Sequence, residues 1–192
     1  MNRFEGAYDG TPPWDIGRPQ PAFVRLAEEG AIRGSVLDVG CGTGENALLF
    51  ASRGHETWGL DAVPRAIEAA RAKAEARGVE ATFVVDDALA LETLGRRFDT
   101  LTDSGVFHVF DDAERLRYVA SLARALAAGG RYHMLVFSER EPAWGGPRRV
   151  AESEIREAFA GWRVERLDRA RFATLLHEGE GAHAWLATLA PP

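Results

Sequence analysis

The sequence holds a single cysteine, Cys41. One cysteine rules out an internal disulfide and a cysteine-built metal cluster. It is consistent with a reducing, cytoplasmic setting, and no metal site is expected. No apolar run approaches the roughly 18 residues that a membrane-spanning helix needs. The opening residues Met1-Asn2-Arg3-Phe4-Glu5-Gly6 carry no signal-peptide core. Long basic runs are also missing: the net charge is −6, and Arg96-Arg97 and Arg148-Arg149 are isolated pairs. Duplex nucleic acid calls for clustered Lys and Arg against its phosphates. Neither a nucleic acid nor a membrane is therefore expected as a partner, and no feature sets an oligomeric state. There is no internal repeat and no low-complexity segment.

What is present is ordinary globular composition, 46% hydrophobic and 27% charged. A chain of 192 residues is expected to form one domain, 1–192, with a small lid.

The most informative stretch is Val36-Leu37-Asp38-Val39-Gly40-Cys41-Gly42-Thr43-Gly44-Glu45. Val36 to Val39 reads as a buried parallel strand, a tight turn follows, and Glu45 to Ala51 reads as a helix. Gly40, Gly42 and Gly44 let the backbone turn sharply and approach a ligand without Cβ atoms in the way. The helix start then offers free N–H groups to an anionic group. A dinucleotide fingerprint wants Gly-x-Gly-x-x-Gly, and its third glycine is replaced here by Glu45, which would repel a pyrophosphate. A ligand with one carboxylate and a positive charge fits better. S-adenosylmethionine is such a ligand, and its sulfonium and ammonium tolerate nearby acids such as Asp38. Seventeen positions after Gly44, Asp61 ends the stretch His55 to Asp61, which reads as the second strand. In a βαβ unit an acid there accepts hydrogen bonds from two ribose hydroxyls.

Val-Leu-Asp-Val-Gly-Cys-Gly-Thr-Gly resembles the first motif of the class I, Rossmann-like S-adenosylmethionine-dependent methyltransferases. Pro12-Pro13-Trp14-Asp15-Ile16-Gly17-Arg18-Pro19 resembles the segment before the first strand in their thiopurine and halide/thiol branch. The resemblance implies an α/β fold: a doubly wound, mostly parallel seven-stranded sheet with a C-terminal antiparallel hairpin and an N-terminal lid. It implies that Trp14 contacts the cofactor, where an aromatic ring beside a sulfonium makes a cation–π contact. It also implies that Asp87, with Asp86 as the one-residue alternative, and the N–H of Ala88 meet the adenine. Asp103 and Ser104 would lie near the methionine end, and Phe107 and Phe110 would wall the acceptor pocket. Gly129-Gly130 matches the family's turn into the fifth strand, although its Lys-Pro pair is missing.

The rest of the chain fits around these landmarks. Residues 1–21 hold four prolines and three glycines, too many for a long regular element, yet also Phe4, Tyr8 and Trp14. They are expected to form the lid, with Tyr8 at the substrate pocket. Helices are expected over 22–29, from Pro64 to Gly78, over 111–127 and from Ser153 to Phe159. Strands are expected over Ala81 to Ala88, Tyr132 to Phe137, Trp162 to Leu167 and His183 to Leu189. Residues 138–150 form an irregular loop suited to acceptor specificity, in which Trp144 either closes the pocket or covers the core. His108 falls in the loop after the fourth strand and reads either as a general base or as a loop histidine turned elsewhere.

The expected reaction is SN2 transfer of the sulfonium methyl to S, O or N of a small, hydrophobic or aromatic acceptor, leaving S-adenosylhomocysteine. A thiolate, halide or phenolate needs no strong base, in keeping with the lack of a clear acid/base pair. A non-catalytic cofactor-binding regulator and, less favoured, a nicotinamide oxidoreductase are the competing readings.

Overall fold

A computed structural model describes residues 4–143, 145–177 and 179–192. The chain opens with a 3-10 turn, Glu5–Asp9, and then α1 (Pro21–Glu28). Three strand–helix units follow: β1 (Val36–Val39) with α2 (Glu45–Ser52), β2 (Thr57–Asp61) with α3 (Pro64–Arg77), and β3 (Thr82–Val85) with the 3-10 segment Ala88–Leu94. Next come β4 (Phe98–Ser104), a 3-10 turn at Phe107–Val109, α4 (Asp112–Ala125) and β5 (Leu126–Phe137). The chain ends with α5 (Glu152–Ala158), β6 (Arg163–Phe172) and β7 (Ala182–Ala190).

The strands make one seven-stranded sheet in the order β3-β2-β1-β4-β5-β7-β6. β1 pairs in parallel with β2 on one side and with β4 on the other, whereas β7 runs antiparallel to both β5 and β6. This is the expected doubly wound sheet with its terminal hairpin.

Local chemistry accounts for the element boundaries. β1 is flanked on both edges and covered on both faces, so its four residues are all buried, as parallel central strands are. Pro64 takes the first turn of α3, and Gly78 ends it in the left-handed conformation at φ +61°. Asp111 caps α4: its carboxylate accepts the Glu114 N–H while Glu114 reaches back to the Asp111 N–H. Each such cap contributes about 0.5–2 kcal/mol.

Two strands outrun their sequence signals. β5 starts at Leu126 rather than Tyr132, because the backbone pairs with Phe98 before its register shifts at Thr100. β6 continues to Phe172, and Arg171 and Phe172, expected in the connection, pair with His183 and Ala182. Phe172 is buried, so burial and pairing together carry the strand past its charged residues.

Helices cover both faces. On one, Phe23 and Leu26 of α1 and Phe50 of α2 pack on Val36, Leu135 and Leu186, while α3 closes on Ala47, Leu48 and Phe83. On the other, Tyr118 and Leu122 of α4, and Ile155 and Phe159 beside them, pack on Leu37, Val39 and Tyr132. A fully buried side chain of this size contributes about 1.5–3 kcal/mol. The register aligns Val39 with Leu60 and with Asp103, so β1, β2 and β4 end together. In open α/β sheets, ligands bind outside such strand ends, at the point where strand order reverses.

Candidate active site

A cavity of about 790 Å³ opens there. Its floor is Gly40 and Asp61 at the ends of β1 and β2, Val85 to Leu89 after β3, and Ser104 to Val106 after β4. Phe4, Tyr8, Pro13 and Trp14 roof it. His108, Val109, Phe110, Phe137, Phe172, Thr174 and Leu176 form the far wall, with Gly146 and Pro147 beside them.

The floor follows from the turn after β1. Gly40 lies at φ +63°, and a Cβ there would stand 2.2 Å from Cγ2 of Val106. Only glycine brings the backbone this close. Gly42 and Gly44 do not line the cavity: they shape it. The N–H of Gly42 donates to Oδ2 of Asp61 at 2.9 Å, and Gly44, at φ +87°, starts α2. Asp61 Oδ1 accepts the Val63 N–H at 2.9 Å. Burial pushes the Asp61 carboxyl up, against these N–H donors. The carboxylate is thus held by backbone N–H groups on both oxygens at the edge of the cavity.

At the exit of β3, Asp86 and Asp87 both reach the cavity. Asp86 spends both oxygens locally, on the Asp87 N–H and the Thr93 hydroxyl. Asp87 uses Oδ1 to cap the following turn through the Leu89 N–H, at 2.9 Å. Ala88 lies beside it in the wall.

The roof is fastened at several points. Asp15 accepts from Thr43 Oγ1 at 2.8 Å, within the glycine turn, and Asp9 pairs with Arg65 of α3. Leu175 N donates to Pro13 O at 2.8 Å. Trp14 Nε1 donates to the Tyr8 hydroxyl at 3.4 Å. Burial and the nearby Asp61 push the Tyr8 phenol well above its ordinary range, so it stays neutral.

Besides Gly42 and Gly44, three residues expected at the cavity do not face it. Phe107 is fully buried in the core, its ring centroid 5.5 Å from that of Phe159 and under the Arg115 guanidinium. Only Phe110 walls the cavity. Asp103 explains the difference. Its Oδ1 accepts the Val106 N–H at 2.6 Å, and its Oδ2 accepts from Phe107 N, Tyr118 and Tyr132 at 3.0, 3.0 and 2.7 Å. These bonds bend the chain so that Phe107 points inward, and they leave Asp103 as an internal tie rather than a cavity residue. Burial, opposed first by the Tyr132 hydroxyl, puts its pKa at about 6. Asp38 is likewise beneath the turn. Oδ1 accepts from Thr102 at 2.7 Å, and Oδ2 finds no hydrogen-bond partner among the described residues. Burial raises its pKa to about 7.

His108 does reach the cavity, and of its two readings the general base is the one its bonding does not support. Its Nδ1 accepts the Phe137 N–H at 3.2 Å, so the hydrogen of the neutral ring sits on Nε2. Burial, with Arg115 and Arg149 nearby, lowers its pKa to about 3. It therefore presents a donor. Trp144 lies outside the described residues. Glu45 does not point a bare charge at the turn: Lys73 and Arg77 bind it at 2.8 Å. Burial raises its carboxyl, and these cations more than reverse the effect, lowering it overall. The repulsion read from Glu45 is therefore neutralised. Among the described residues, no cluster of His, Cys, Asp and Glu is arranged to hold a metal.

Residues that the sequence did not single out, Thr174 and Leu176, come from the β6–β7 connection. Their only local signal is an apolar pair, Leu175-Leu176, left exposed beside a strand end.

Comparison with known proteins agrees with this geometry. The methyltransferase domain family matches residues 36–130, which run from β1 through the glycine turn to Gly130. The chain is 40% identical to the 2-heptyl-1-hydroxyquinolin-4(1H)-one methyltransferase of Mycobacteroides abscessus, over 94% of this chain and 84% of that protein. It is 30% identical to the probable thiol methyltransferase 2 of Arabidopsis thaliana, over 78% of this chain and 67% of that one. Among solved structures it is similar to one reported for the conversion of a disulfide bond into a thioacetal group during echinomycin biosynthesis. There the TM-score is 0.87 at 38% identity, covering 97% of this chain and 90% of that one. With a relative this similar along almost its whole length, a family match on the glycine turn and a cavity at the ends of β1, β2 and β4, the chain belongs to the S-adenosylmethionine-dependent methyltransferases.

Proposed function

We propose that this methyltransferase acts on a small, apolar, aromatic acceptor carrying a nucleophilic S, O or N. The observation that carries this reading is one continuous cavity with two unlike ends. A polar floor around Asp61 and Asp87 adjoins a wall of Val109, Phe110, Phe137, Phe172 and Leu176.

The residues present suit S-adenosylmethionine. Asp61 is the group to accept the ribose hydroxyls, since both its oxygens are oriented by backbone N–H groups. Asp87, with one oxygen uncapped in its local bonding, and the Ala88 N–H suit the adenine edge. Gly40 and Ser104 leave room for the methionine end, while Gly42 and Gly44 hold the turn that shapes it. Asp103 acts from below, adding negative potential without lining the cavity, and Asp38, with its pKa at about 7, adds less at neutral pH. Trp14 and Tyr8 cover the site from the lid, 1–21, and Gly146 and Pro147 bring the 138–150 loop to its substrate side. On this reading residues 1–192 work as a single domain.

When bound, the cofactor supplies an electrophilic methyl on a sulfonium. The chain's own contribution is positioning: acceptor, methyl and sulfur must come into line at contact distance, about 3–3.5 Å. Trp14, Tyr8 and Phe110 exclude water, which leaves an anionic nucleophile less hydrated. The Nε2–H of His108 donates to an acceptor oxygen or ring nitrogen and orients it. Among the described residues, no helix is long and apolar enough to cross a membrane. The reduced Cys41 and the acidic chain support a cytoplasmic enzyme with no nucleic-acid substrate.

The test is methyl transfer from labelled S-adenosylmethionine to a panel of aromatic thiols, phenols and heteroaromatic amines, alongside aliphatic polar controls. Label is expected in the aromatic set. Label confined to the polar controls would contradict the reading.

A further inference from the structure

His108 is spoken for at Nδ1, yet a second histidine is wired to the cavity from the outside. Thr174, which lines the far wall, has its Oγ1 2.7 Å from His177 Nδ1. His177 Nε2 lies 3.0 Å from Glu141 Oε1. Glu141 is buried at 7% exposure, and its Oε2 accepts the His183 N–H at 2.6 Å. Three side chains from the two loops at this end of the sheet thus form one hydrogen-bonded line that ends at the cavity.

Donor and acceptor chemistry sets its direction. An ionised Glu141 accepts only, so the ring hydrogen of His177 sits on Nε2 and leaves Nδ1 as an acceptor. The Thr174 hydroxyl then donates to Nδ1. Of its two lone pairs, one takes the Leu176 N–H at 3.2 Å. The other has no partner in these bonds, and Thr174 itself lines the cavity. A hydroxyl whose hydrogen is directed at an imidazole, itself oriented by a carboxylate, is an arrangement suited to moving a proton.

We infer that Thr174, His177 and Glu141 form a relay that takes the proton of the acceptor as it is methylated. This rests on the proposed reading of a phenol-, thiol- or heteroaromatic-type acceptor. The X–H bond of the acceptor breaks, and its proton joins Thr174 Oγ1. The hydrogen of Thr174 passes to His177 Nδ1, giving an imidazolium paired with Glu141. The electron pair left on X forms the new bond to methyl, and the methyl–sulfur bond breaks onto sulfur. His177, with 19% of its side chain exposed, then releases the proton to solvent. Thr174 is the residue that meets the acceptor; His177 and Glu141 act through it.

The relay matters only for acceptors that arrive protonated. The test compares two phenols at neutral pH: pentafluorophenol, already ionised, and 4-methylphenol, protonated. The readout is the ratio of kcat on 4-methylphenol to kcat on pentafluorophenol. Thr174→Val removes the hydroxyl at nearly constant shape, and His177→Gln removes the proton acceptor without emptying the site. Each is expected to lower the ratio about 100-fold, the usual size of general-base effects, while Thr174→Ser restores it. A loop role alone would lower both rates together. An unchanged ratio in both variants overturns the relay. Wild-type enzyme that methylates neither these phenols nor the thiols and heteroaromatic amines of the panel overturns the acceptor reading beneath it, and the relay falls with it.

Discussion

The two halves of the sheet differ in how they are built and in what they offer the cavity. On the β3-β2-β1-β4 side the strands are parallel, each is joined to the next through a helix or a 3-10 segment, and the cavity meets polar groups at the strand ends: Gly40, Asp61, Asp87. On the β5-β7-β6 side the strands are antiparallel, and the wall is assembled from segments far apart in sequence, such as Phe110, Phe137, Phe172 and Leu176. The first half is suited to one fixed ligand. The second presents an apolar surface whose shape depends on loops, where acceptor preference can change without disturbing the cofactor.

Substitutions divide along the same line. The largest expected effect is at the turn. Gly40→Ala forces a left-handed alanine against Val106, at an expected cost of about 2–5 kcal/mol in stability from backbone strain and overpacking together. Chemical denaturation measures it; a loss below 1 kcal/mol would mean that the turn tolerates a side chain. Next is Asp61→Ala, expected to weaken S-adenosylmethionine binding by about 1.5–3 kcal/mol, the value of hydrogen bonds to a charged group. An unchanged Kd by calorimetry would remove Asp61 from the site. On the roof, Trp14→Ala is expected to weaken binding by about 0.5–2 kcal/mol, and to do so more for the sulfonium cofactor than for uncharged S-adenosylhomocysteine, because only the former gains from cation–π attraction. Equal losses for both would make Trp14 a simple cover.

The smallest effect concerns Glu45, which belongs to the first half without facing the cavity. Its pairs with Lys73 and Arg77 are partly exposed, so Glu45→Gln is expected to cost about 0.2–1 kcal/mol and to leave the cofactor Kd unchanged. The sign with pH is fixed by its lowered carboxyl pKa. The folded chain holds the charge longer than the unfolded one, so this contribution is complete above the ordinary value of 4.5 and is lost as pH falls through the folded-state pKa. Wild type and variant should therefore converge in stability in acid. A gap that widens there would contradict the ion-pair account.

The same division explains what could be read from the chain. The glycine turn, Asp61 at the end of β2 and the start and stop of α3 at Pro64 and Gly78 are set by neighbours a few residues away, and all were legible. Phe107 and Phe110 look equivalent in sequence. Which of them faces the cavity is decided by the Asp103 carboxylate, tied to Tyr118 and Tyr132 in α4 and β5. The full length of β6 depends on pairing with β7, so Arg171 and Phe172 gave no local sign of it. Thr174, His177 and Glu141 escaped for the same reason, since tertiary structure alone brings the two loops together. His108 was found by position, but its protonation was not: that follows from the Phe137 N–H across the cavity wall.

The central claim is that the parallel half holds the methyl donor through Asp61 while the antiparallel half sets the acceptor. Calorimetric titration of the purified protein with S-adenosylmethionine, in wild type and in Asp61→Ala, tests it most directly. The account predicts one-to-one binding by wild type and an affinity at least about tenfold weaker in the variant, as the loss of a charged hydrogen bond requires. No heat of binding in wild type, or equal affinity in both proteins, would contradict it.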